Sequence, residues 1–414
     1  MSELRNMYSA IQEEEFPEKM EISFSSSGRR TTLVYEKVTW TLDGKEQGLR
    51  YGENPGQDAA LYRIVNGNLQ IGEVTTIYPG KYLASDVELL QSGKHPGKTN
   101  ITDIDNALNI LRYLTDRPCT VIVKHNNPCG VASADSLPDS YAKAYAADRI
   151  AAFGGAVAVN REMDTETAKL ISESYVEVVA APEFAPGSFE ILAGRKNLRI
   201  MRISNIQRLN EFVSERFIDF KSLLDGGIIA QCSYIPKRSI DDFLPARAEH
   251  KGVTYTVDRE PTDKEKRDMI FGWLVESGIT SNSVIYVRDG VTIGIGTGEQ
   301  DRVGVAEIAR DKAYRKFSDR LSWETCGKPY SSLTDESKKR AILDETAGKK
   351  GNLPGSVMIS DAFFPFRDGV DVGLREGVAA VLQPGGSLRD YESIQACNEF
   401  GAAMLFTGQR SFKH

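Results

Sequence analysis

Residues 120–130, TVIVKHNNPCG, hold the residue types most able to do chemistry. Lys124 and His125 close an apolar, β-branched run and are followed by what reads as a turn rich in Asn, Pro and Gly; ligands of α/β sheets bind beyond the carboxyl ends of strands. An imidazole there is a candidate general base, and a positioned base or acid is worth roughly 10²- to 10⁴-fold in rate. Taken by its spacing, the same pair also reads as a strand end facing solvent.

Four further stretches could hold a ligand. In GLRYGENPGQ (48–57), Arg50 is a forked donor suited to phosphate, set in a turn where backbone can approach a ligand. The alternative is an Arg-Tyr pair flanking a structural turn. In IGIGTGEQDR (293–302), Gly294, Gly296 and Gly298 make neither G-x-G-x-x-G nor a phosphate loop. That stretch is a ligand-hugging turn or a bulged hairpin end. In SDAFFPFRD (360–368), the two adjacent phenylalanines, Phe363 and Phe364, with Pro365 could form a flat wall for an aromatic ligand, or belong to the core. The tail QRSFKH brings Arg410, Phe412 and His414. A zinc reading of Pro128-Cys129 beside His125 fails, because nucleobase deaminases need H-x-E followed by P-C-x-x-C. Here Asn126 and Asn127 follow the histidine, and no cysteine follows Cys129 at that distance.

The elements that must position these groups alternate strand and helix. TVIVKH reads as a buried strand, Asn106–Thr115 and Tyr141–Arg149 as helices, and AVAVN as a strand. Asp164 is a candidate N-cap for TETAKLISES, and VEVVAAP and LRIMRI are the next strands. Thr262 to Glu265 spells a capping box, and Asp289-Gly290 joins two strands of a hairpin. SVMISD, VAAVLQ and AAMLF follow as strands, with helices near Val370–Glu376 and Tyr391–Phe400. The pattern predicts an α/β fold with a parallel or mixed sheet. Residues 1–46 read as a leader with a short helix and strand-like pieces, 47–220 as a first α/β unit, and 221–414 as a second. A helical insertion is expected near 303–349.

Composition narrows the class. With 414 residues the chain can build more than one core. A net charge of −7 argues against general nucleic-acid binding, which needs a basic footprint. Five scattered cysteines without C-x-x-C suit a reducing compartment. Ser2 to Lys19 lacks the apolar core of a signal peptide, and no apolar run approaches the roughly 20 residues of a membrane span. A soluble cytoplasmic protein is expected.

Together and in order, LRYGENP, TNITDID, VIVKHNNPCGVA, AADRIAAFGGAVAVNRE, VEVVAAP, SNSVIYV, TIGIGTGEQDRV, SDAFFPFRD and RSFKH resemble one family. It is the transformylase portion of the bifunctional enzyme that combines AICAR transformylase with IMP cyclohydrolase. The resemblance runs from about Leu49 to His414. It implies transfer of formyl from 10-formyltetrahydrofolate to the 5-amino group of AICAR, giving FAICAR and tetrahydrofolate in purine (IMP) biosynthesis. It also implies two zinc-free cytidine-deaminase-like α/β units and an intertwined homodimer in which both chains contribute to each site.

By the same resemblance, His125 helps take the amine proton, Lys124 helps the folate nitrogen leave, and Asn282 holds the formyl oxygen. Arg50, Tyr51, Asn100, Gly154, Glu177, Arg410 and Phe412 match positions that grip the nucleotide. Phe363, Gln300 and Arg302 fall on the folate side, and a potassium ion is implied near Ser283, Asp361 and His414. Two departures stand out. Family members usually read NPHQ where this chain has Asn54-Pro55-Gly56-Gln57. A leader of about fifty residues stands where the cyclohydrolase domain is expected, so a separate IMP cyclohydrolase is expected as pathway partner and no cyclohydrolase activity in this chain. The competing expectations are a catalytically silent nucleotide-binding homologue and a formyltransferase with another donor. Against the first, Lys124, His125, Asn282 and Phe363 are all retained; no recognisable ATP motif supports the second.

Overall fold

The computed structural model describes residues 10–11, 15–42, 44–76 and 80–414. The short helix expected in the leader falls outside the described residues. The chain divides into two compact units, Met1–Leu108 with Ala156–Ile235, and Asn109–Gly155 with Pro236–His414.

In the first unit, Ala156–Val159, Val178–Ala181 and Arg199–Arg202 run parallel, and Glu88–Gln91 pairs antiparallel beside the last. The first two of these strands are buried on both faces, which is why they read as unbroken apolar runs rather than alternations. Helix Thr165–Ser172 crosses between them, started where Asp164 Oδ1 accepts from the Thr167 amide at 2.7 Å. Earlier in the chain, Lys19–Ser26, Arg29–Val38 and Leu61–Gly67 form an antiparallel sheet over a small core of Leu33, Leu69 and Val74. The strand-like pieces expected in the leader are therefore strands. A hairpin, Ile218–Ser222 with Ile228–Cys232, exposes Phe217, Leu224, Ile228 and Ile229.

The second unit carries a mixed sheet. Its strand order is Leu244–Pro245, Ala403–Phe406, Ala380–Gln383, Val357–Ser360, Val284–Arg288, Val291–Gly296, Asn127–Ser133 and Cys119–Lys124. The 403, 380 and 357 strands are parallel to one another, and the rest pair antiparallel. Helix Asp263–Glu276 begins with the expected capping box. The turn Asp289-Gly290 has positive φ at both residues, the geometry of a tight hairpin, and Asp268 accepts from both of its amides at 2.9 and 2.8 Å.

Two expectations change. The Asn-, Pro- and Gly-rich stretch after His125, expected as a turn, enters a strand, Asn127–Ser133, so the turn narrows to His125-Asn126 and closes a second tight hairpin. Helix Arg302–Cys326 is also less separate than an insertion. Val305, Ala306, Ala309 and Ala313 belong to the main core with Tyr286, Met358 and Phe364. Only the later part, with helix Glu336–Gly348, builds a cluster of its own from Phe317, Leu321, Leu333 and Ile342. Gly294 explains how closely this helix packs: a Cβ there would stand 2.2 Å from the Ala309 carbonyl oxygen. The glycine serves helix-on-strand approach, not a nucleotide.

Candidate active site

In the second unit, His125 and Asn126 are the two turn residues between Lys124 and Asn127, with φ of 54° and 60°. That conformation suits a two-residue hairpin turn and holds the histidine exposed at its tip. Lys124 donates to the Phe153 carbonyl at 2.7 Å, just before Gly154, whose φ is 75°. Asn127 fixes the turn from behind: its Oδ1 accepts from the Thr280 amide at 2.8 Å and the Thr297 hydroxyl at 3.1 Å. Lys413 ties the tail to the same turn through the Asn126 carbonyl at 2.9 Å, while its own carbonyl accepts from the Ser281 amide. The His125 turn and the Asn282 loop are thus laced together by backbone and amide contacts.

Beside this turn a cavity of about 270 Å³ is lined by Cys129, Asp148, Lys312 and Lys316 among others. Lys316 pairs with Asp148 at 2.6 Å. Burial pushes the Cys129 thiol up to about 12, assisted by the charge of Asp148, which favours the protonated thiol over the nucleophilic thiolate. Burial also lowers Lys312.

Asn282 sits in a second cavity of about 410 Å³, with Gln300, Arg302, Phe363, Arg410 and Phe412. Its amide is oriented from both ends. Arg302 Nη2 donates to Oδ1 at 2.8 Å, and Nδ2 donates to the Gln300 carbonyl at 2.9 Å. A guanidinium only donates, so the oxygen must face Arg302 and the NH₂ group the other way, leaving its second N–H for a ligand. Arg302 is itself anchored by Asp361, by the Ser283 carbonyl at 3.1 Å and by the Ser360 hydroxyl at 3.1 Å. Arg302 is thus a buried anchor behind Asn282 as well as part of the cavity wall. Phe363 is 39% exposed and lines the cavity, whereas Phe364 is core. Arg410 lies over the Phe412 ring, 4.3 Å from its centroid.

Behind Asp361 lies Glu276, wholly buried, which accepts from the Ser283 hydroxyl at 2.8 Å. Burial and the neighbouring Asp361 charge hold its carboxyl well above the usual range. The residues matched to potassium are already committed: Asp361 to Arg302 and Ser281, Ser283 to Glu276, and His414 edge-on to Phe412. No catalytic step is assigned to a potassium ion there. Among the described residues, no group of three or more His, Cys, Asp or Glu could hold a metal.

The residues expected from the resemblance to grip a nucleotide divide between the units. Gly154, Arg410 and Phe412 stand in the second, and Arg50, Tyr51, Asn100 and Glu177 in the first. Within the first unit, Arg50 donates to the Lys94 carbonyl at 3.0 Å and stacks over Tyr51 at 4.5 Å. Asn100 caps the turn below by accepting from the Gly97 amide at 3.0 Å and reaches Glu177 at 3.4 Å. Gly56, where the family histidine is missing, has φ of 86° in a turn closed by Gln57 and Asn54.

His95, unremarked in the sequence, is buried beside Arg50. Its Nε2 meets the Gly48 carbonyl at 2.7 Å, which assigns the proton to that nitrogen and leaves Nδ1 to accept from Ser92. Burial lowers its pKa from 6.5; the Gly48 bond opposes this, and the charges of Arg50 and Arg199 add to the lowering. The neutral ring therefore supports the fold fully above about pH 6.5, the unfolded value. Stability falls as pH drops from there toward the depressed folded value, because the unfolded chain takes up the proton first. Urea denaturation across this window should show that loss, and His95→Asn, which tolerates the positive φ, should flatten it.

Asp368 and Phe366 also line the Asn282 cavity and were missed, although both lie in the phrase SDAFFPFRD. Nothing in the sequence gave Asn127 its role behind the turn. Arg199, an arginine inside the apolar strand LRIMRI, carried its own signal: charged residues are seldom fully buried unless paired.

These features define an α/β protein with a lysine–histidine turn and a guanidinium-anchored amide in one unit and an arginine-rich cradle in the other. A family model for the AICARFT/IMPCHase bienzyme matches residues 9–312, and the chain belongs to that family. It is 40% identical to the bifunctional purine biosynthesis protein PurH of Persephonella marina, over 89% of this chain and 60% of that protein. Against the PurH proteins of Acetivibrio thermocellus and Clostridium perfringens, identity is 35% and 37%, over 98% and 97% of this chain. The chain spans about 60% of the length of these relatives, 62% for the latter two. No described helix is long and apolar enough to cross a membrane.

Proposed function

We propose that the chain is an AICAR formyltransferase using 10-formyltetrahydrofolate, yielding FAICAR and tetrahydrofolate. The observation that carries this reading is the exposed His125 turn laced to a loop whose Asn282 amide is held with one N–H to spare. The 5-amino nitrogen of AICAR attacks the formyl carbon, and His125 accepts the amine proton as the C–N bond forms. The formyl oxygen gathers charge and takes the free Asn282 N–H. Donors placed where charge develops are worth about 2.7–4 kcal/mol each. Collapse breaks the bond to the folate nitrogen, which leaves with a proton from Lys124.

The cavity lined by Phe363, Phe366 and Asp368 suits a flat heteroaromatic ring with donor groups, as in a pterin. Arg50, Tyr51, Asn100 and Glu177 serve the phosphate and ribose of the nucleotide. Each unit, with parallel strands flanked by helices, supports reading the pair as zinc-free cytidine-deaminase-like units. The apolar hairpin around Ile228 and Leu224 is the kind of surface a second copy of the chain covers, in keeping with a homodimer.

The test is tetrahydrofolate release from purified protein given AICAR and 10-formyltetrahydrofolate. Release that requires AICAR is expected. Binding of AICAR in calorimetry without release would overturn the transferase reading in favour of a silent homologue.

A further inference from the structure

We infer that Arg199 is a positioning residue for nucleotide binding, acting through Glu177. The inference rests on the function proposed above. Arg199 opens the strand Arg199–Arg202 and is 1% exposed. A guanidinium so buried must find acceptors for its donors or weaken the fold. Its Nε donates to the His95 carbonyl at 3.2 Å, and Nη1 reaches both the carbonyl and Oε2 of Glu177 at 3.4 Å. Its backbone amide donates to the same Glu177 carbonyl at 3.0 Å. Arg199 therefore grips Glu177 by main chain and side chain together.

Glu177 passes that grip on. Its side chain is 37% exposed, so it faces outward while its charge is anchored inward. Oε2 also accepts from Asn100, and Oε1 from the Tyr175 hydroxyl at 3.5 Å. All three side-chain contacts to the carboxylate are longer than the 2.7–2.9 Å of a tight charge-assisted bond. Such a carboxylate has capacity left for an incoming hydroxyl pair, as on a ribose. Arg50 lies near enough for its charge to act on Arg199, so two guanidiniums share this corner with Glu177. Their joint charge favours a ligand that carries both hydroxyls and an anionic phosphate. Without Arg199, Glu177 would lose its inward anchor and swing toward Arg50, closing the cradle by a wrong ion pair.

The role separates from a purely structural one by where the damage falls. The full chain would be titrated with AICAR by calorimetry, and formyl transfer measured at varied AICAR, for wild type, Arg199→Lys, Arg199→Met, Glu177→Gln and Arg199→Met/Glu177→Gln. Arg199→Met is expected to weaken AICAR binding about tenfold or more, the scale of one hydrogen bond to a charged group. KM for AICAR should rise with it, while kcat at saturating AICAR and KM for the folate stay near wild type. Arg199→Lys, which keeps the charge and guards against misfolding, should recover part of the affinity. The double variant should bind no worse than the weaker single, because both act on one contact.

Wild-type binding of AICAR with unchanged affinity in Arg199→Met, or fully additive losses in the double variant, would overturn the inference and leave the proposed function standing. A fall in kcat at unchanged KM would overturn it likewise. A wild-type chain that binds no AICAR would remove the functional reading and the inference with it.

Discussion

His125→Asn should lower AICAR-dependent formyl transfer by roughly 10²- to 10⁴-fold, the range lost with a positioned base, and leave the melting temperature essentially unchanged. Asparagine is the right replacement for a physical reason. Residue 125 holds φ at 54°, a left-handed conformation that asparagine adopts readily and alanine does not. His125→Ala would therefore mix a catalytic loss with a turn penalty. The side chain is exposed at the hairpin tip, so its removal opens no cavity. The turn is held instead by the Asn127 and Lys413 contacts, none of which uses the imidazole. Single-turnover rates with both substrates saturating, beside a thermal melt, would check the expectation. A variant within about threefold of wild type, against the 10²-fold minimum expected of a base, would remove His125 from the proton transfer.

The hairpin that carries His125 also marks where sequence reasoning reaches its limit. TVIVK was legible as a buried strand because apolar β-branched residues run through it without alternation. The Asp289-Gly290 turn and the Thr262 capping box were legible because each needs particular side chains at fixed spacing. Asn127–Ser133 was not, since Asn, Pro and Gly signal a loop unless a neighbouring strand claims their backbone groups. Gly130 shows why the composition is still required: a Cβ there would stand 2.0 Å from the Ala144 carbonyl oxygen. The first half of helix Arg302–Cys326 was obscured differently. Its many charges outweigh a narrow buried stripe of Val305, Ala306, Ala309 and Ala313, which only the three-dimensional core reveals.

In the candidate site, the side chains proposed to react were legible, in part through the resemblance, and their supports were not. Lys124 and His125 sit in a short phrase whose residue types already suggest chemistry, whereas Asn282 is singled out only by the resemblance. Arg199 grips a residue 22 positions away, and the partner of Arg302 is 59 positions away. Nothing local distinguishes such an arginine from a solvated one. What decides its role is the burial of the whole group and the count of acceptors around it, and both are properties of the fold.

Arg302→Met is the sharpest test of such a support. Arg302 is 8% exposed and Asp361 is 0% exposed, so their ion pair is almost fully removed from water. Removing one partner of a buried pair typically destabilises by about 3–5 kcal/mol, because the other charge is left without compensation. Urea denaturation should therefore show a loss of that order in Arg302→Met. Formyl transfer should fall as well, by roughly 10²- to 10³-fold if Asn282 can no longer present its N–H. The two losses have different causes and can be separated. Arg302→Met/Asp361→Asn removes the stranded charge along with the guanidinium, so much of the stability should return. The rate should not, because Asn282 Oδ1 still lacks the donor that orients its amide. Recovery of stability and rate together would mean that Arg302 acts only by holding the fold. Recovery of stability alone would tie the buried guanidinium to the chemistry of the amide it aims.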